Sequence, residues 1–397
     1  MPIADKIQSF IDRASWIRKM FEEGARLREE FGAENVYDFT LGNPTVEPPP
    51  AFHEQLRRLA SDPEPGMHRY MPNAGYPETR RAVAERLSRE SGLDVRAEQI
   101  VMTCGAGGAL NVVLKTLINP GDEVIILNPY FVEYKFYIDN HGGVPVEVST
   151  RADFQLDLEA IGAAVTPKTC AVIVNSPNNP TGVIYPADDL RELDALLKRA
   201  GARHGRDIVV ISDEPYARIA YDGLRVPSVF ACVDNAVVVT SHSKDLALPG
   251  ERIGFLAASP KLADLDAFMA GAVFCNRVLG FVNAPALAQR LVAGLQDASV
   301  PVSPYQEKRD LLYDNLTRLG FRMIKPGGAF YLFPESPLKD DVEFVRRAQE
   351  HRILLVPGSG FGAPGYFRIA YCIDRSIIER SLPAWRALAD DLGMGGS

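Results

Sequence analysis

From about residue 100 onward, short runs rich in β-branched residues alternate with segments long enough to be helices. The runs at 124–127, 171–174, 208–211 and 237–239 are bounded by turn residues such as Pro120-Gly121-Asp122, as strands are. Between them, 187–203 reads as a helix with acidic residues early and basic residues late, the order that the helix dipole favours. Strands alternating with helices predict an α/β fold: an open, mostly parallel sheet covered by helices. A sheet of that kind binds its ligand beyond the carboxyl ends of its strands.

The texture changes after about residue 286, where amphipathic helices precede a hairpin-like run from Gly327 to Phe333 and a strand near 367–370. This predicts a smaller α+β domain. A chain of 397 residues is too long for one typical compact unit. The expected division is 1–45 as an N-terminal arm and part of the small domain, 46–285 as the large domain, and 286–397 as the C-terminal small domain. The stretch Glu47-Pro48-Pro49-Pro50 reads as a hinge or rigid entry loop.

The net charge of −8, with no block of Lys or Arg, gives no footprint for nucleic acid or an anionic membrane. No apolar stretch is long enough to span a bilayer, and the N-terminus lacks the signal-peptide pattern. A small soluble ligand and a cytoplasmic location are therefore expected. The five cysteines are scattered, with no spacing that suggests a metal. They read as buried thiols of a reducing compartment, although Cys104, beside a Gly-rich turn, and Cys275 are candidates to line a pocket.

Three polar clusters follow the apolar runs: Asn175-Ser176-Pro177-Asn178-Asn179, Ser212-Asp213-Glu214-Pro215-Tyr216 and Ser241-His242-Ser243-Lys244. Topology brings them to one edge of the sheet. A single lysine is usually a solvated surface side chain. Here Lys244 follows a buried strand, and Ser241, Ser243 and Arg252 stand ready to bind a phosphate. A desolvated lysine beside cationic neighbours becomes a Schiff-base nucleophile for an aldehyde. An aldehyde carrying a phosphate suggests pyridoxal 5′-phosphate (PLP).

Ser241, Ser243, Lys244, Gly250, Arg252 and Gly254 resemble the cofactor signature of fold-type-I, class I/II aminotransferases. The resemblance runs in family order from Leu41-Gly42-Asn43-Pro44 to Phe367-Arg368-Ile369-Ala370. It implies that the large domain binds PLP as a Lys244 Schiff base, and that Lys244 then serves as the base for the substrate Cα proton. It implies that Asp213 faces the pyridine nitrogen, that Tyr216 and Asn179 bond the ring's phenolic oxygen, and that Phe131 stacks on the ring, with Tyr130 as the alternative one residue away. Ala106 and Gly107, at the start of a helix expected over 110–118, are implied backbone donors to the phosphate beside Ser241, Ser243 and Arg252.

Tyr70, in Tyr70-Met71-Pro72-Asn73-Ala74-Gly75, matches a residue that reaches the neighbouring subunit's phosphate, which implies a homodimer with shared sites. Arg368 matches the arginine that takes the substrate carboxylate. Gly42 matches the loop that closes over that carboxylate, and Asn179 is also expected near substrate. The implied reaction moves an amino group between an L-amino acid and a 2-oxo acid. The lysine loop also looks like that of PLP lyases and replacement enzymes that act on γ-activated amino acids such as S-adenosylmethionine. Arg277 is either a distal cation for the substrate side chain or a solvated or structural arginine.

Overall fold

The computed structural model describes residues 3–13 and 15–394, with the side chains of residues 12–22 left aside. Of the expected N-terminal arm, Met1, Pro2 and Ala14 lie outside the described residues. Strand β1 (Tyr37–Asp38) comes first. Seven strands follow: β2 (Ile100–Thr103), β3 (Glu123–Asn128), β4 (Val144–Ser149), β5 (Thr169–Asn175), β6 (Val209–Asp213), β7 (Ala236–Ser241) and β8 (Gly254–Ala258). The last four are short: β9 (Tyr331–Leu332), β10 (Ile353–Leu354), β11 (Val356–Pro357) and β12 (Phe367–Ala370).

Contacts gather these elements into two compact units. The larger comprises Pro44–Gln306 and Lys325–Phe330. Its sheet has the order β2-β8-β7-β6-β5-β3-β4. All pairs are parallel except those of β8, which runs antiparallel to both β2 and β7. Every residue of β5, β6 and β7 is buried, which is why these strands read as continuous apolar runs rather than as alternating ones. Helix Gly105–Leu117 packs its Ala109, Val112 and Val113 into the same core as Ile126, Ile173 and Val237.

The helix expected over 187–203 is present as Ala187–His204, with Asp188 and Asp189 in its first turn and Arg203 and His204 in its last. The helix expected from residue 110 begins instead at Gly105. The Gly-rich segment is thus its first turn. Glycine is a poor helix former, but here close packing overrides propensity, as the site geometry below makes clear.

The smaller unit comprises Met1–Asn43, Glu307–Ile324 and Tyr331–Ser397. Its sheet has the order β11-β12-β9, both pairs antiparallel, and β1 pairs in parallel with β10. Phe39, Phe321, Phe344, Phe367 and Trp385 form its aromatic centre, with ring centroids 4.5 Å apart for Phe344 and Phe367 and 5.6 Å for Phe321 and Trp385. The larger unit runs past the expected boundary at 285 to Gln306.

The run from Gly327 to Phe333 is not a hairpin. Gly328 bridges to Ala220 in the larger unit, while Tyr331 and Leu332 pair with Ala370 and Ile369 in the smaller one. A run of apolar residues marks strand character, not the strand's partner. No helix among the described residues is long and apolar enough to cross a membrane.

Candidate active site

In the larger unit, the register of the parallel strands sets Asn175, at the end of β5, beside Asp213, at the end of β6, and Asp213 beside Val239 of β7. Asn175 ties these elements together. Its Nδ2 donates to the Asp213 carbonyl at 2.8 Å, and its Oδ1 accepts from the Asn179 N–H at 2.7 Å. Asn179 and Asp213 are thereby held by one side chain.

Asp213 is 5% exposed. Tyr134, on helix Tyr134–Asn140, donates its hydroxyl proton to Asp213 Oδ2 at 2.6 Å. The other oxygen, Oδ1, is buried without a hydrogen-bond partner. Burial pushes the carboxyl up to about 7, and the Tyr134 hydrogen bond opposes part of that rise. A buried carboxylate oxygen with nothing to accept from calls for a cationic N–H donor.

Tyr216 and Lys244 meet at Phe330. The Tyr216 ring stands edge-on to Phe330 at 5.3 Å, and Lys244 Nζ lies 5.5 Å from the Phe330 centroid. Phe330 is the last residue of the segment Lys325–Phe330, which belongs to the larger unit. Its segment is held by backbone bonds from Tyr221 N to Gly327 O, Gly328 N to Gly182 O and Ala329 N to Ile219 O. Phe131 is half-buried with its ring edge-on to Tyr134 at 5.6 Å. Tyr130 is buried, with Lys135 Nζ 5.1 Å from its ring centroid.

A second cluster forms where β7, β8 and β2 run side by side. Gly254 is in register with both Ser241 and Thr103. Ser241 Oγ donates to Ser243 Oγ at 3.0 Å, and both residues are buried. The helix that follows Thr103 starts at Gly105 against this edge, so a Cβ on Gly254 would lie 2.3 Å from the Thr240 carbonyl oxygen and 2.9 Å from the Gly105 backbone. A Cβ on Gly105, whose φ is +72°, would lie 2.8 Å from an Arg252 guanidinium nitrogen. Arg252 itself donates to the Pro249 carbonyl at 3.1 Å. Ala106 and Gly107 are in the first helical turn, where backbone N–H groups have no intrahelical acceptor. Two serines, an arginine and a helix start make an anion cradle of phosphate type. With the orphaned Asp213 Oδ1, this donor set fits PLP.

Tyr70 is 89% exposed in the single chain. Its loop is anchored by Asn283, which donates to the Pro72 carbonyl, and by Asn276, which donates to the Asn73 carbonyl, both at 3.0 Å. Arg277 is exposed and lies over the exposed Phe274 ring at 5.4 Å. Cys104 caps the start of helix Gly105–Leu117, and Cys275 is packed in the core.

In the smaller unit, Arg368 on β12 is 9% exposed. It donates to the Thr40 carbonyl at 2.6 Å, and its guanidinium lies 4.7 Å from the Tyr331 centroid and 4.8 Å from that of Phe361. Gly42 passes so close to Tyr331 that a Cβ would overlap the phenol oxygen, at 2.1 Å. Three residues were not singled out from the sequence: Tyr134, Asn175 and Phe330. Asn175 alone carried a signal, since it directly ends an apolar run and opens a polar cluster.

The model of the family "Aminotransferase class I and II" matches residues 34–383. A probable aspartate/prephenate aminotransferase of Thermus aquaticus is 35% identical over 350 residues, covering 86% of this chain and 88% of that protein. Aromatic-amino-acid aminotransferase 2 of Thermococcus litoralis is 31% identical, covering 96% and 97%. The crystal structure of an amino transferase from Eubacterium rectale superposes with a TM-score of 0.95 at 38% identity, covering 98% of this chain and 99% of that one. With the family model spanning most of its length and relatives alike nearly from end to end, this chain belongs to the class I and II aminotransferases, PLP-dependent enzymes that act on amino acids and 2-oxo acids.

Proposed function

We propose that Lys244 is the cofactor-bearing lysine of this aminotransferase and also the base that takes the substrate Cα proton. The carrying observation is Asp213: its buried Oδ1 has no protein donor, and its strand lies directly beside the strand that leads into Lys244. When bound, PLP supplies an electron sink for the electron pair left by the breaking Cα–H bond. Asp213 Oδ1 would accept a hydrogen bond from the ring N–H and so keep the proton on that nitrogen. Tyr216 and Asn179 bond the ring's phenolic oxygen, and Phe131 packs on the ring face. Its half-buried position beside Tyr134 supports it over Tyr130, which is covered by Lys135.

Ala106 and Gly107 N–H groups, Ser241, Ser243 and Arg252 hold the phosphate. Arg368 takes the substrate carboxylate through two N–H groups, with the Gly42 turn closing over it, and Asn179 is a further substrate-binding residue. Lys244 Nζ moves the proton that this orientation presents. The exposure of Tyr70 on an anchored loop supports a homodimer in which it completes the partner's phosphate site. A cytoplasmic location accords with Cys104, Cys170, Cys232 and Cys275 standing as thiols.

The relatives' names support amino transfer over elimination or replacement at a γ-activated amino acid. The test is a single-turnover half-reaction with one amino acid and no 2-oxo acid. Amino transfer releases one 2-oxo acid per site, no ammonia, and then stops. Continued release of oxo acid with ammonia overturns the reading, as does covalent PLP on a lysine other than Lys244 after borohydride trapping.

A further inference from the structure

Lys244 lies on one isolated helical turn, His242–Asp245. A helix that short does not hold its own geometry. Backbone bonds steady the turn: His242 N–H donates to Ile253 O at 3.0 Å, Leu248 N–H to His242 O at 3.1 Å, and Val300 N–H to Asp245 O at 2.7 Å. The residue that follows Lys244 on this turn is Asp245, which is 7% exposed. Its Oδ2 lies 3.3 Å from His242 Nδ1, and its Oδ1 is buried without a hydrogen-bond partner.

Asp245 faces a cavity of about 500 Å³ that it shares with Arg86, Glu90, Glu214, Arg218 and Phe255. Consecutive residues of a strand point to opposite faces. Asp213 meets Tyr134, while Glu214, the next residue, lines this cavity and accepts from Ser212 Oγ at 2.7 Å. Arg86, on helix Pro77–Ser91, is 6% exposed, lies over the Phe255 ring at 5.4 Å and approaches Glu90 only to 3.7 Å. Its Nε is buried and finds no acceptor.

We propose that Asp245, set among His242, Arg86 and Arg218, is a positioning residue that holds the Lys244 turn from within this cavity. The inference rests on Lys244 being the cofactor lysine. The charged and titratable groups around Asp245 are His242 on its own turn, Arg86, Arg89 and Glu90 on helix Pro77–Ser91, and Glu214, Arg218 and Arg225 after β6. Burial pushes the Asp245 carboxyl up, but His242, Arg86 and Arg218 outweigh it and leave the group below its ordinary value. It is therefore an anion at neutral pH, on the same turn as Lys244.

The test uses the PLP-loaded enzyme and the variant Asp245→Asn, which keeps the shape and removes the charge. Borohydride trapping and peptide mapping of the unaltered enzyme come first. If the label is not on Lys244, the assignment of the cofactor lysine fails, whatever Asp245 does. With Lys244 labelled, Asp245→Asn is expected to lower the pH midpoint of the cofactor's visible absorption by at least about half a unit, because a neighbouring anion favours protonation. It is also expected to lower kcat about tenfold at unchanged KM, the pattern of a group that acts on the reacting amine. A midpoint and kcat indistinguishable from those of the unaltered enzyme overturn the proposal. If Asp245→Asn does not fold, Arg218→Gln replaces it: loss of a cation should move the midpoint up, and an unmoved midpoint overturns the proposal.

Discussion

The hydroxyl of Tyr134 donates a 2.6 Å hydrogen bond to Asp213 Oδ2 and leaves Oδ1 buried and available. One oxygen is thereby committed to the protein and the other to whatever fills the site. Tyr134→Phe removes the contact that opposes the burial-driven rise of the Asp213 carboxyl. The acid limb of the kcat/KM profile should then move to higher pH by about one unit, with activity at pH 7 down about fivefold. Superimposable pH profiles would show that Tyr134 does not tune Asp213.

Burial also pushes Glu214 up to about 7. Both Asp213 and Glu214 thus have folded-state values above their unfolded ones. Such carboxyls keep their full contribution to stability below the unfolded value and lose it as pH rises through the folded one. Without cofactor, the protein should therefore become less stable between about pH 4 and pH 7. Apo Asp213→Asn should be more stable than the unaltered apo protein at pH 8, by about 2 kcal/mol. Calorimetry of the two apo proteins from pH 5 to pH 8 checks this, and parallel curves would refute it.

Gly254→Ala is expected to cost about 3 kcal/mol or more, since its Cβ has no flexible neighbour to displace: the Thr240 carbonyl and the Gly105 backbone both stand in the way. Any protein that folds should bind PLP more weakly, because the helix start is pushed off β8. A urea melt and a cofactor titration give the two quantities. Unchanged affinity in a destabilised variant would separate the close approach from the phosphate cradle.

Arg368→Lys should raise the Kd for amino acid at least about tenfold, since Lys cannot make a two-point contact with a carboxylate. The cofactor absorption should be unaffected. Equal Kd values would remove Arg368 from substrate binding.

Mixing Tyr70→Ala with Lys244→Ala chains tests the shared site. In a heterodimer, one site carries both changes and the other neither, so random pairing should restore roughly a quarter of full activity. A mixture no more active than the average of its parents would place Tyr70 outside the partner's site.

Much of the larger unit was legible because β5, β6 and β7 are buried on both faces, and their β-branched runs end where chemistry begins. What was not legible depends on distance along the chain. Tyr134 and Asp213 are 79 residues apart, and no local pattern links them. Phe330 looked like part of a hairpin because a glycine pair precedes a run of aromatic and aliphatic residues, yet the chain changes units immediately after it. The segment Gly105-Ala106-Gly107-Gly108 looked like a loop because glycine disfavours helix. The need for bare backbone beside Arg252 and Gly254 prevails there. The roles of individual residues came from resemblance to a family, and spacing alone would not have supplied them.

The ring that both Tyr216 and Lys244 touch arrives more than eighty residues after Lys244 in the chain. On the ribosome, where domains form as the chain emerges, all seven strands of the large sheet are out well before residue 330 is made. A nascent chain at that stage has its lysine turn but lacks the aromatic cover supplied by Phe330. Chains truncated before residue 330 would lack the ring that packs beside Tyr216 and Lys244.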